Sequence, residues 1–138
     1  MSTMGPEYIT GIAVLDEQHK QLFLLTSQAQ TLLKDQNMLY KFDELKEILE
    51  GIRAYTLSHF VDEEAYMSNA GYSGLDEHLE LHQKFLENLT HIDEEASRVS
   101  LGTQDSILRE LLNYLTKWLH QHILHADKEM VREIEAAK

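Results

Sequence analysis

In Tyr55-Thr56-Leu57-Ser58-His59-Phe60-Val61-Asp62-Glu63-Glu64 a histidine precedes a glutamate by four positions. In Asp76-Glu77-His78-Leu79-Glu80-Leu81-His82 two histidines stand four apart. Residues four apart share one face of a helix, so each pair can close on a single ion. Imidazole and carboxylate donors suit iron, manganese, zinc or copper, and the chain has no cysteine to offer thiolate. Either spacing alone arises by chance in a chain with 8 histidines and 24 acidic residues. Where the pairs fall relative to the apolar residues gives them their weight.

Phe42, Leu45, Leu49, Ile52 and Thr56 advance in steps of three and four, and the next two steps land on His59 and Glu63. The same rhythm runs through Leu75, His78, His82, Phe85, Leu89, Ile92, Ala96 and Val99. These histidines and the glutamate therefore occupy core positions. Burying a charge without a partner costs several kcal/mol, and a bound metal ion would supply the partner.

The elements that must position them are four amphipathic helices. The first starts at Leu15 with Asp16 as its expected N-cap, carries Leu15, His19, Leu22, Thr26, Ala29 and Leu33 inward, and ends near Asp35. The second spans about Lys41 to Ser68. A turn through Asn69-Ala70-Gly71-Tyr72-Ser73-Gly74 follows, with Ser73 as the cap expected for a third helix that reaches about Val99 and stops at Gly102. A fourth runs from about Gln104 towards Ala136 with Leu108, Leu111, Leu115, Trp118 and His122 on its stripe. Residues 1–14 read as an irregular arm laid over the rest through Tyr8, Ile9 and Ile12. Short connections force antiparallel neighbours, so the expected fold is all-α: an up-down-up-down four-helix bundle over 15–136 with the N-terminal arm, one domain over 1–138. In that topology His19, His59, Glu63, His78, His82 and His122 all fall at one end.

A length of 138 residues suffices for one core and not for two ordinary domains. The net charge of −12 argues against nucleic-acid and anionic-membrane partners. No apolar run approaches the roughly 20 residues that span a bilayer, and no basic-then-apolar leader opens the sequence, so a cytoplasmic location is expected. Two-iron bundles rich in carboxylate use Glu-x-x-His pairs; the only acid-x-x-His here is Asp16 to His19, which disfavours that class.

Four stretches together resemble the hemerythrin family, in its bacterial branch: Gly11-Ile12-Ala13-Val14-Leu15-Asp16-Glu17-Gln18-His19-Lys20, His59-Phe60-Val61-Asp62-Glu63-Glu64, His78-x-x-x-His82-x-x-Phe85, and Trp118-Leu119-x-x-His122-Ile123-x-x-x-Asp127. The resemblance implies a non-haem di-iron centre with an oxo or hydroxo bridge that takes O2 as a reversible ligand. It implies that His78, His82 and His122 ligate one iron, that His19 and His59 ligate the iron with an open position, and that Glu63 and Asp127 bridge. Only the resemblance selects Asp127. Five residues after His122 it lies about 140° around a regular helix, so a wide turn or a long reach must accommodate it. Leu22, Phe23, Phe60, Trp118 and Leu119 are the candidates for the apolar lining of the O2 site, and Tyr66 and Tyr114 read equally as hydrogen-bond partners of ligand imidazoles or as simple packing. His91, His120 and His125 read as outside the ligand set. Three functional classes follow: an O2-binding protein for storage, delivery or sensing, a di-iron enzyme acting on peroxide or nitric oxide, or an oxygen-responsive interaction module with a separate protein partner.

Overall fold

A computed structural model describes residues 4–138. The stripes of apolar residues fold as expected into helices α1 (Ala13–Lys34), α2 (Phe42–Asn69), α3 (Leu75–Ala96) and α4 (Gln104–His122). Beyond α4 the chain makes a π-helical turn, Ile123–Asp127, and continues as α5 (Lys128–Ala136). There is no strand among the described residues. Each of the four long helices packs on the two beside it, α1 on α2 and α4, α3 on α2 and α4, which closes the antiparallel up-down-up-down bundle.

Apolar burial accounts for the register. The main core, around Ala29, Leu45, Leu49, Ile52, Leu89, Leu108 and Leu111, fills the bundle away from the histidines. A second cluster of Leu15, Met67, Met130, Val131 and Ile134 closes the opposite tip, with α5 as its lid. The polar core residues thus lie between two dry layers. On α1 the inward stripe ends on Leu32 and not on Leu33, which packs only partly against the core. One step of three in place of four is enough to make that exchange.

Helix ends depart from expectation more than helix bodies do. The N-cap of α1 is Ile12, and Asp16 lies inside the first turn. Its carboxylate reaches back to accept hydrogen bonds from Thr10 N at 2.8 Å, Thr10 Oγ1 at 2.7 Å and Gly11 N at 3.1 Å. Asp16 therefore ties the arm to the helix and does not cap it. Gly74, not Ser73, precedes α3, with no side-chain cap. That helix stops at Ala96, before Val99, and Gly102 takes no left-handed conformation there. Ile9 of the arm is 44% exposed, so Tyr8 and Ile12 hold the arm to the bundle by apolar contact and Ile9 does not.

The turn between α2 and α3 does use its glycine. Gly71 has φ +65°, Tyr72 N donates to Met67 O at 3.0 Å and Gly71 N to Ser68 O at 3.2 Å, the paired bonds of a Schellman C-cap. This turn sets the phase between Glu63 and His78. A side chain at Gly71 meets no neighbour, so only the backbone penalty applies. Gly71→Ala is expected to lower unfolding free energy by about 1–2 kcal/mol, read by chemical denaturation, without changing helix content.

Candidate metal centre

His19 enters from the first turns of α1, His59 and Glu63 from the second half of α2, His78 and His82 from the start of α3, and His122 from the end of α4. Asp127 closes the π turn. All seven are buried, at 0–4% exposure. The π turn is what brings Asp127 inward: Lys128 N bonds to Ile123 O, one residue further back than an α-helix allows. The extra residue per turn rotates Asp127 onto the face of His122, and His125, which a regular helix would keep nearer the stripe, is left exposed.

Every imidazole presents Nε2 to the two carboxylates, and the carboxylate oxygens divide them. Glu63 Oε1 lies 2.5 Å from His78, 3.0 Å from His82 and 3.8 Å from His122, while Glu63 Oε2 lies 3.2 Å from His59. Asp127 Oδ1 lies 3.0 Å from both His78 and His122, while Oδ2 lies 2.9 Å from His19 and 3.7 Å from His59. Two donor groups result, His78, His82 and His122 on one side and His19 and His59 on the other, with Glu63 and Asp127 common to both.

This arrangement fits a pair of metal ions better than it fits a hydrogen-bonded polar core. The His19 and His59 Nε2 atoms approach to 3.1 Å. That is about the separation of two nitrogens held at right angles about 2.1 Å from one ion. Glu63 Oε2, His122 Nε2 and Asp127 Oδ1 are buried without a hydrogen bond, although a donor or acceptor stands within 3.2 Å of each, and among the described residues His19 Nδ1 is the other such atom. Unsatisfied buried polar atoms of this kind are rare without an ion or water to take them up.

Hydrogen bonds on the outer nitrogens fix two of the rings. His59 Nδ1 donates to Gln18 Oε1 at 2.8 Å, and Gln18 Nε2 in turn donates to Asp62 Oδ2 at 2.6 Å. His82 Nδ1 donates to Glu64 Oε2 at 2.8 Å. Both acceptors require a proton on Nδ1, which leaves the Nε2 lone pair for an ion. Gln18 and Glu64 lie beside His19 and Glu63 in the sequence, and adjacency to those residues is the only signal for them. Tyr66 and Tyr114 bond elsewhere: Tyr66 Oη donates to Glu135 and Tyr114 Oη accepts from Asn88.

Aromatic faces complete the three-histidine side. Phe60 stacks on His82 with centroids 3.8 Å apart, and Trp118 on His122 at 4.4 Å. Leu22, Phe23, Leu119 and Ile123 form an apolar cluster with Tyr8 on the α1 and α4 side.

In the metal-free chain the electrostatics invert. Burial alone pulls the His59 and His78 imidazoles down, but hydrogen bonds and charge from Asp127 and Glu63 outweigh it and push each to about 9. For Glu63 and Asp127, burial works to raise the carboxyls, and the surrounding imidazoles hold them well below the usual range. Imidazolium protons thus occupy the positions cations would take at neutral pH. Metal entry must displace them, so affinity should rise with pH up to about 9, and each binding event should release protons; titration calorimetry in buffers of different ionisation enthalpy reads the number. Glu64→Gln, which weakens the anchor on His82, should lower metal affinity about 10–100-fold with the helices intact.

The comparisons with known proteins agree with this geometry. The family model described as Hemerythrin HHE cation binding domain matches residues 10–134. A bacteriohemerythrin of Clostridium acetobutylicum is 29% identical over 130 residues, covering 91% of this chain and 95% of that one. One from Pseudomonas paraeruginosa is 32% identical over 118 residues, covering 86% and 71% respectively. A hemerythrin subunit of Sipunculus nudus is 31% identical over 113 residues, covering 82% and 76%. With a buried cluster of five imidazoles and two carboxylates at one end of a four-helix bundle, and a family model spanning nearly the whole sequence, the chain belongs to the hemerythrin family.

Proposed function

We propose that this chain binds O2 reversibly at two iron ions, for storage, delivery or sensing. His78, His82 and His122 would hold one ion, His19 and His59 the other, and Glu63 and Asp127 would bridge them beside an oxo or hydroxo group. The observation that carries this reading is the unequal division of donors, three imidazoles to two across shared carboxylates, which leaves one ion a protein ligand short. The iron pair, when bound, supplies two electrons and a free position for a small ligand.

The protein's own contribution is to hold that position dry and the metals fixed. Two carboxylates offset part of the charge of two divalent ions, and a bridging hydroxide offsets more, so the dry interior can hold the set. Gln18 and Glu64 keep the His59 and His82 rings from turning. Phe60 and Trp118 cover imidazole faces, and Leu22, Phe23 and Leu119 supply an apolar wall. Such a wall favours retention of O2 over its reduction. No helix among the described residues is long and apolar enough to cross a membrane.

The test is to load the chain anaerobically with Fe(II), admit air, and then sparge with inert gas while following the visible spectrum. A colour that forms and fades over repeated cycles is expected. One-way oxidation with rapid turnover of added peroxide would favour an enzyme instead. His59→Ala should abolish O2 binding with most of the fold retained, and Glu63→Ala should in addition lower thermal stability, because it removes a donor shared by both ions.

A further inference from the structure

Tyr8 is the one residue of the described arm that is fully buried, at 1% exposure, and the metal centre makes no use of it. Its ring lies 5.0 Å from that of Phe23 and packs in the cluster of Leu22, Phe23, Leu119 and Ile123. Three of those side chains are neighbours of the centre in the chain. Leu22 follows His19 by three residues on α1, Leu119 precedes His122 by three on α4, and Ile123 opens the π turn that ends at Asp127. The short 3-10 turn Pro6–Tyr8 packs on that π turn. Tyr8 therefore closes an apolar layer whose members stand next in the chain to His19, His122 and Asp127.

Met4 and Ile12 pack on the bundle as half-buried side chains, and polar contacts hold the rim. Tyr8 Oη meets His120 Nδ1 at 3.0 Å, Lys128 Nζ donates to Glu7 O at 2.7 Å, and Asp16 holds Thr10 and Gly11. Gly11, at φ +94°, gives the chain a bend between arm and bundle that most residues resist. A single deep ring on a segment outside the bundle, with exchangeable bonds at its edge and a glycine at its base, can leave its socket without unpacking a long helix.

We infer that the Tyr8 ring is the stopper of the apolar approach to the centre from the α1 and α4 side, and that it sets how fast small ligands enter and leave. This rests on the O2-binding reading above. A stopper changes the barrier and leaves both end states alone, so entry and exit speed up together and the equilibrium constant stays put. A residue that merely supported the fold would shift stability or affinity instead.

The test uses the full-length chain loaded with Fe(III), with azide as the probe, in stopped flow. Tyr8→Ala should raise both association and dissociation rates at least about tenfold with the ratio unchanged, and Tyr8→Phe, which keeps the ring, should stay within about twofold of the parent. Trp118, the single tryptophan, packs against the same cluster and reports independently of ligand binding: Tyr8→Ala should make its fluorescence more accessible to acrylamide. Unchanged rates in Tyr8→Ala, or a change confined to the equilibrium constant, would overturn the inference. If no azide complex forms in the parent chain, the O2-binding reading fails, while acrylamide access still decides whether Tyr8 seals the cluster. Should Tyr8→Ala lose helix content, Tyr8→Leu replaces it in both measurements.

Discussion

Two carboxylates and five imidazoles are buried together at one end of a bundle whose remaining interior is largely hydrocarbon. No arrangement of seven such groups is tolerable in a dry core unless charge is balanced within it. Protons on the imidazoles can do this, and so can metal cations. The rest of the structure is the means of holding the seven at one level: four helices in alternating directions, a Schellman turn that sets the phase of Glu63 against His78, and a π turn that swings Asp127 onto the face of His122.

The division of the carboxylate oxygens turns one polar cluster into two unequal halves. Oε1 of Glu63 and Oδ1 of Asp127 face three imidazoles, while Oε2 and Oδ2 face two. Under the proposed reading, inequality of that kind would leave one ion open to a ligand and the other saturated. Aromatic rings stack on His82 and His122, and an apolar cluster built from α1 and α4 lies beside them. Geometry and wall together tie a sequence pattern to a binding function.

Much of this was legible in the sequence, for a definite reason. Periodicity reports which residues face inward, and polar residues on an inward stripe have few explanations. The stripes alone put His19, His59, Glu63, His78, His82 and His122 at one end. Asp127 was legible only through family resemblance, because the regular helical period puts it on the wrong face. The five-residue π turn that corrects this leaves no mark in composition. Helix ends at Asp16 and Ser73 are hard to place from sequence, since a short polar side chain has several backbone groups within reach and the surrounding fold decides among them. Gln18 and Glu64 were invisible for a related reason: which acceptor meets an outer imidazole nitrogen depends on the packing of two helices, not on either one.

The pairing of metals across Glu63 and Asp127 is tested most directly by Mössbauer spectroscopy of the chain reconstituted with 57Fe(II) under nitrogen, together with the iron-to-protein ratio. Two irons per chain, giving two resolved quadrupole doublets of equal area from unequal ligand sets, are expected. A single iron per chain, or two irons in one indistinguishable environment, would contradict a centre in which three imidazoles stand on one side and two on the other.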